Sequence, residues 1–142
     1  MKHLSILWLL AAGIGSLALS EHLHAAEGKD LDRLLDAIAK VESRNDPDAV
    51  GDGGRAIGVY QIHRLYWKDG IRILDVEWPY KEARDPRKAR RVVTAYLRHY
   101  GKGKSLLDMA RIHNGGPRGY RKKATLKYAR KVQAAMEAAE TS

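Results

Sequence analysis

Between Leu31 and Ile62 an apolar stripe with helical spacing runs straight into a glycine-rich, acidic loop, and few folds accommodate that junction. Leu31, Leu34, Leu35, Ile38 and Val41 recur at intervals of three and four residues, the pattern of one buried helical face. Glu42 extends that face, following Ile38 by one turn, so its carboxyl is expected along the apolar stripe and not opposite it. Partial loss of water there would disfavour the charged form and keep a proton available for transfer, the property of a general acid. A solvated glutamate in the last turn of an ordinary helix is the plainer alternative.

The remainder of the chain punctuates itself clearly. Asp30 is the expected N-cap of the first helix. Ser43 to Ala56 is rich in Gly, Asn and Asp, which is loop chemistry. Within it Asp52-Gly53-Gly54 fits the tip of a short hairpin, because glycine supplies the positive φ such turns need, and Tyr60-Gln61-Ile62 is expected to be a brief strand. Tyr66, Trp67 and Trp78 are placed in the core, the commoner fate of aromatic rings. Asp85-Pro86 reads as an N-cap and first helical position, and Ala89, Val92, Val93, Tyr96, Leu97 and Tyr100 form the stripe of a helix ended by Gly101. The opposite face carries Arg87, Lys88, Arg90, Arg91 and Arg98. No nucleic-acid motif accompanies these charges, so they are read as a solvated face. Ser105 caps a short helix through Ile112, His113 to Pro117 forms a turn, and Thr125 caps a last helix with Tyr128, Ala129, Val132 and Met136 on its core side.

At the other end, Leu4 to Leu19 is an apolar run behind Lys2 and His3, the pattern of a secretory signal peptide with cleavage after Ser20, Ala25 or Ala26. The alternative, an uncleaved anchor, needs about 20 apolar residues, so residues 1–26 are expected to be removed and residues 27–142 to form one domain without a stable membrane anchor. Removing residues 1–26 takes out one lysine and one glutamate, leaving the net charge of the chain at +9. That balance favours a polyanionic surface, which for an exported (secreted or periplasmic) protein is a cell wall more readily than nucleic acid. The chain has no cysteine, so no disulfide can staple it. His63, His99 and His113 lack paired ligand spacing, and neither a metal nor another cofactor is expected.

The motifs resemble two known families. Glu42-Ser43, Asn45 to Val50 and Gly58-Val59-Tyr60-Gln61-Ile62 are similar to the catalytic motif of the soluble lytic transglycosylases, as are Met109 to Tyr120 and Thr125-Leu126-Lys127-Tyr128 to their later segments. Tyr66-Trp67-Lys68-Asp69 and Ala110 to Pro117 resemble the invertebrate-type lysozymes. The absence of cysteine departs from the latter family, and His113 from the aromatic residue that many transglycosylases carry beside the asparagine. Both resemblances imply a mainly α, lysozyme-like single domain with a short β-hairpin or loop beside the catalytic helix.

Either resemblance implies cleavage of the β-1,4 bond between N-acetylmuramic acid and N-acetylglucosamine in peptidoglycan glycan strands by a monomer. Glu42 is the implied acid. As a transglycosylase, the preferred branch, Glu42 alone would close the muramic C6 hydroxyl onto C1 and leave a 1,6-anhydro end. As a lysozyme, water would finish the reaction with a second carboxylate, for which Asp52 is the candidate. By the same resemblance Ser43, Tyr60, Gln61 and Asn114 contact the glycan, and Tyr128 hydrogen-bonds the catalytic carboxylate. Gln61 as a surface amide, Asn114 as a helix terminator and Tyr128 as a core residue are the plainer alternatives. A non-catalytic wall-binding protein or a basic nucleic-acid-binding protein are the readings from other classes.

Overall fold

The computed structural model describes residues 11–141, with side chains from residue 27 onward. The first ten residues of the expected signal peptide therefore lie outside the described residues. The chain falls into two compact units, Met1–Asp32 and Arg33–Ser142, and the core and site described below belong to the second.

Helix α1 runs from Ala11 to Ser43. Asp30 is inside this helix and does not cap it, because nothing between Ala11 and Asp30 breaks the backbone pattern. Three two-residue strands follow, β1 (Val50–Gly51), β2 (Ala56–Ile57) and β3 (Ile62–His63). They form one antiparallel sheet in chain order, with Val50 opposite Ile57 and Ala56 opposite His63. The β1–β2 connection is a 3-10 turn at Asp52–Gly54, where the glycines required it. The expected strand at Tyr60-Gln61-Ile62 begins only at Ile62. Gln61 takes a left-handed φ of 47°, incompatible with an extended strand, so Tyr60 and Gln61 belong to the turn.

Four helices complete the unit: α2 (Arg64–Leu74), α3 (Pro86–Tyr100), α4 (Leu106–Gly115) and α5 (Leu126–Glu140). Helix α3 is built as its sequence dictates. The Asp85 carboxylate accepts from the amides of Arg87 and Lys88 at 2.9 and 3.1 Å, and Gly101 closes the other end. Ser105 caps α4 through the Asp108 amide at 3.1 Å. Thr125 precedes α5 but makes no cap; its buried hydroxyl lies 2.8 Å from the carbonyls of Gly119 and Lys122 and accepts from Arg111 Nε at 3.0 Å. In a chain without disulfides, this polar knot holds the segment between α4 and α5.

The core of the unit joins Leu34, Leu35 and Ile38 of α1 to Ile62, Trp67, Val92, Val93, Leu97, Ile112 and Val132, all essentially inaccessible to water. Each such side chain contributes on the order of 1.5–3 kcal/mol of gross burial. Trp67 anchors α2 by donating from its indole to the Trp78 carbonyl at 2.9 Å. Trp78 itself is not core: it is half-buried, with the cations of Lys88 and Arg91 over its ring at 5.4 and 5.0 Å.

Candidate active site

Glu42 is the next-to-last residue of α1. The helix stops because Arg44 and Asn45 both take left-handed conformations, φ 57° and 66°. Ser43 secures that stop, donating to the Val59 carbonyl at 2.8 Å and accepting from the Asp46 amide at 3.1 Å. Its hydroxyl therefore latches the loop to the helix end, and the expected glycan contact from Ser43 has no free donor behind it.

The Glu42 side chain is 19% exposed, against 4% for its neighbour His113, whose Nε2 lies 3.4 Å from Glu42 Oε1. His113 occupies the last turn of α4, which runs through Gly115 and not only to Ile112 as the sequence suggested. Its Nε2 is also 3.2 Å from the Tyr60 carbonyl, and its Nδ1 is 3.1 Å from the Tyr66 hydroxyl. A carbonyl can only accept, so Nε2 carries a hydrogen, and in the neutral imidazole Nδ1 accepts from the Tyr66 hydroxyl. Burial, followed by the negative fields of Tyr96 and Glu42, pushes ionisation of Tyr66 well up, which keeps that phenol a donor. Tyr66 stacks on Tyr96 with ring centroids 3.8 Å apart.

Tyr128 completes this side. Its hydroxyl oxygen is buried and makes no well-formed hydrogen bond, although Glu42 is close enough to act on it. Burial first, and then the Glu42 charge, push its ionisation far above the ordinary tyrosine range. A protonated phenol beside a carboxylate is a donor in reserve, with Glu42 the acceptor nearest to hand.

Asp52 sits on the exposed tip of the β1–β2 turn with a left-handed φ of 51°. Its Oδ1 accepts from Arg55 at 2.7 Å and its Oδ2 lies 3.2 Å from His63 Nε2. Gln61 holds the base of this turn: its amide nitrogen donates to the carbonyls of Ala49 and Gly58 at 3.2 and 3.0 Å. Gly51 is required beneath it, because a Cβ there would lie 2.2 Å from Gln61 Oε1.

The two carboxyls share one polar pocket of about 240 Å³, lined also by Gln61, His63, Tyr66, His113 and Asn114. Of the expected contacts, Asn114 stands there exposed, and Gln61 reaches the pocket while bracing the hairpin. Tyr60 does not: its ring is buried and its hydroxyl accepts from Arg90 at 3.2 Å, so only its carbonyl serves the site, through His113. His63 and Tyr66 were missed. Tyr66 had been assigned to the core, which holds for its hydroxyl but not for the edge that lines the pocket. No local pattern marks His63, whose approach to Asp52 follows from the β2–β3 register.

The family is decided by comparison with known proteins. Residues 32–135 match the family model described as Destabilase. The chain belongs to the destabilase family, the invertebrate-type lysozymes. It is 38% identical to Invertebrate-type lysozyme 6 of Caenorhabditis elegans over 108 residues, covering 66% of this chain and 78% of that protein. It is 41% identical to Lysozyme 1 of Crassostrea virginica over 81 residues, covering 54% of this chain and 43% of that protein. Among solved structures, a chain from the crystal structure of Aeromonas hydrophila PliI in complex with Meretrix lusoria lysozyme aligns with a TM-score of 0.61 at 33% identity, covering 72% of this chain and 87% of its own. The fold is thus lysozyme-like. The destabilase match corrects the preference for the transglycosylase branch, and it stands despite the lack of cysteine.

Proposed function

We infer that this destabilase-family member is a hydrolytic lysozyme, a glycosidase that cleaves the β-1,4 bond between N-acetylmuramic acid and N-acetylglucosamine in peptidoglycan. The observation that carries the reading is the shared pocket of Glu42 and Asp52, in a chain whose relatives are named lysozymes. Glu42 protonates the glycosidic oxygen as the bond to C1 breaks. Asp52, outside the apolar frame and paired with Arg55, supplies the negative charge opposite the developing oxocarbenium ion, and water completes hydrolysis. Tyr128 and His113 receive the carboxylate that Glu42 becomes after proton transfer, offering it an O–H and an N–H. Asn114 presents a side-chain amide to the sugar. Export of the protein by removal of residues 1–26 would bring it to this substrate as a monomer, and its net charge of +9 favours encounter with an anionic wall.

The deciding experiment is mass spectrometry of the muropeptides that the protein, with and without Glu42→Gln, releases from purified peptidoglycan. Reducing ends that disappear with Glu42→Gln support the lysozyme. Products one water lighter would assign the 1,6-anhydro chemistry of a transglycosylase, and no Glu42-dependent product would overturn the enzymatic reading.

A further inference from the structure

We propose that His63 is a positioning residue for the second carboxylate: it ties the Asp52 carboxylate to the sheet, and so fixes the direction in which Asp52 faces the pocket. The proposal rests on the reading of Glu42 and Asp52 as the reacting pair. The turn is intrinsically loose. Asp52, Gly53 and Gly54 all have positive φ, at 51°, 63° and 91°, and a Cβ built on either glycine would meet nothing within 4 Å. Nothing packs against the two glycines, so the direction of the Asp52 carboxylate depends on its polar ties.

Those ties differ in kind. Arg55 donates to Asp52 Oδ1 at 2.7 Å and to the Asp52 carbonyl at 3.0 Å. It belongs to the same turn and its side chain is 74% exposed, so its guanidinium braces the turn internally. His63 lies eleven residues from Asp52 in sequence and reaches Oδ2 at 3.2 Å from strand β3. That strand pairs with β2 and passes directly into α2, which carries the pocket residue Tyr66 and the buried Trp67. Gln61, the Gly51–Ala56 pairing and the Tyr80 hydroxyl, which donates to the Arg55 carbonyl at 3.0 Å, hold the backbone of the turn. His63 is the tie from the Asp52 carboxylate itself to the sheet, and unlike Arg55 it lines the pocket. Each carboxylate oxygen has two acceptor positions, so one donor on each leaves Asp52 free to face the sugar or its attacking water. Without His63 the carboxylate keeps its arginine but loses its aim. Misalignment of that sort lowers turnover while leaving ground-state binding to the rest of the cleft.

The test compares His63→Ala, His63→Gln, Asp52→Asn and the double variant His63→Ala/Asp52→Asn in the full chain, measuring kcat and KM on labelled peptidoglycan. His63→Ala is expected to lower kcat roughly tenfold with KM changed less than about twofold. His63→Gln, which retains a side-chain N–H, should recover most of that loss. In the Asp52→Asn background His63→Ala should have no further effect, because its only route to the reaction has been removed. A neutral His63→Ala, an equal loss in both backgrounds, or a rise in KM alone overturns the proposal, the last making His63 a substrate contact. If Asp52→Asn turns over too slowly to measure, the 13C carboxyl resonance of Asp52 decides. It should move in His63→Ala and return in His63→Gln, and an unmoved resonance overturns the assignment. Failure of the underlying reading has a different signature: Glu42→Gln and Asp52→Asn would both retain full activity.

Discussion

The two walls of the pocket are built on opposite principles. The Glu42 wall is interior: a helix end latched by Ser43, a histidine that is 4% exposed, and two tyrosines whose hydroxyls are shielded from water. The Asp52 wall is a turn tip in solvent, 45% exposed at the carboxylate and held by two side chains that are themselves half-exposed or more. A proton donor benefits from the first setting, where every nearby dipole is fixed and undiluted by water. A group that must meet a sugar and its attacking water benefits from the second, where the carboxylate is open to solvent and held by side chains at its edge. One pocket thus offers two carboxyls two different environments, and the proposed division between an acid role for Glu42 and a charge role for Asp52 rests on that difference.

The largest effect that would break this comparison lies at Glu42. Glu42→Gln keeps the shape of the side chain and removes the proton, so turnover on peptidoglycan should fall about 10²–10⁴-fold while wall binding in a pelleting assay persists. An equally large loss from Asp52→Asn with none from Glu42→Gln would reverse the assignment of the walls.

Stability separates the walls next. His113→Ala removes the partner of the Tyr66 hydroxyl and of the Tyr60 carbonyl in a closed space, and should cost about 2–4 kcal/mol in urea unfolding. Asp52→Asn alters an exposed turn and should change stability by no more than about 0.5 kcal/mol. Comparable costs for the two variants would mean that the Asp52 turn is part of the folding core and that the contrast between interior and surface is mistaken.

How much of this was legible in the sequence follows from how local each feature is. Helix α3, with its Asp85 cap, its Pro86 start and its Gly101 stop, was readable because every signal lies within the helix itself. The β1–β2 turn was readable for the same reason, since Asp52-Gly53-Gly54 specifies left-handed backbone on its own. Glu42 and Asp52 were found as site candidates by motif, and their meeting in one pocket is a product of that turn. What failed was the direction of side chains. Ser43 and Tyr60 belong to the motif but face inward to the loop and to Arg90, and nothing in a string of residues distinguishes a hydroxyl that holds the frame from one that holds a sugar. His63 and Tyr66 were missed because their place in the pocket depends on strand register and helix packing across residues far apart in sequence. Asp30 failed as a cap because a good N-cap residue also tolerates a helix interior when the chain before it is helical.

The smallest effect, and the most discriminating, is expected at Tyr128. Its hydroxyl makes no well-formed hydrogen bond in the free protein, so Tyr128→Phe should leave stability at neutral pH within about 1 kcal/mol of the parent. The alkaline limb should change instead. The folded-state ionisation of Tyr128 is raised above its unfolded value of 10.0, by burial first and by Glu42 second. Its protonated form is thus favoured in the fold, and the associated stability is fully present below pH 10 and lost as pH rises above it. Unfolding followed from pH 8 to 11 should therefore fall less steeply in Tyr128→Phe than in the parent. If the hydroxyl turns to Glu42 once the proton has left, the same variant should also lower kcat by roughly tenfold, the worth of one hydrogen bond to a charged group. Loss of turnover at unchanged neutral stability would place Tyr128 in the reaction, whereas unchanged turnover with a flattened alkaline limb would leave it a core residue that happens to lie beside the acid.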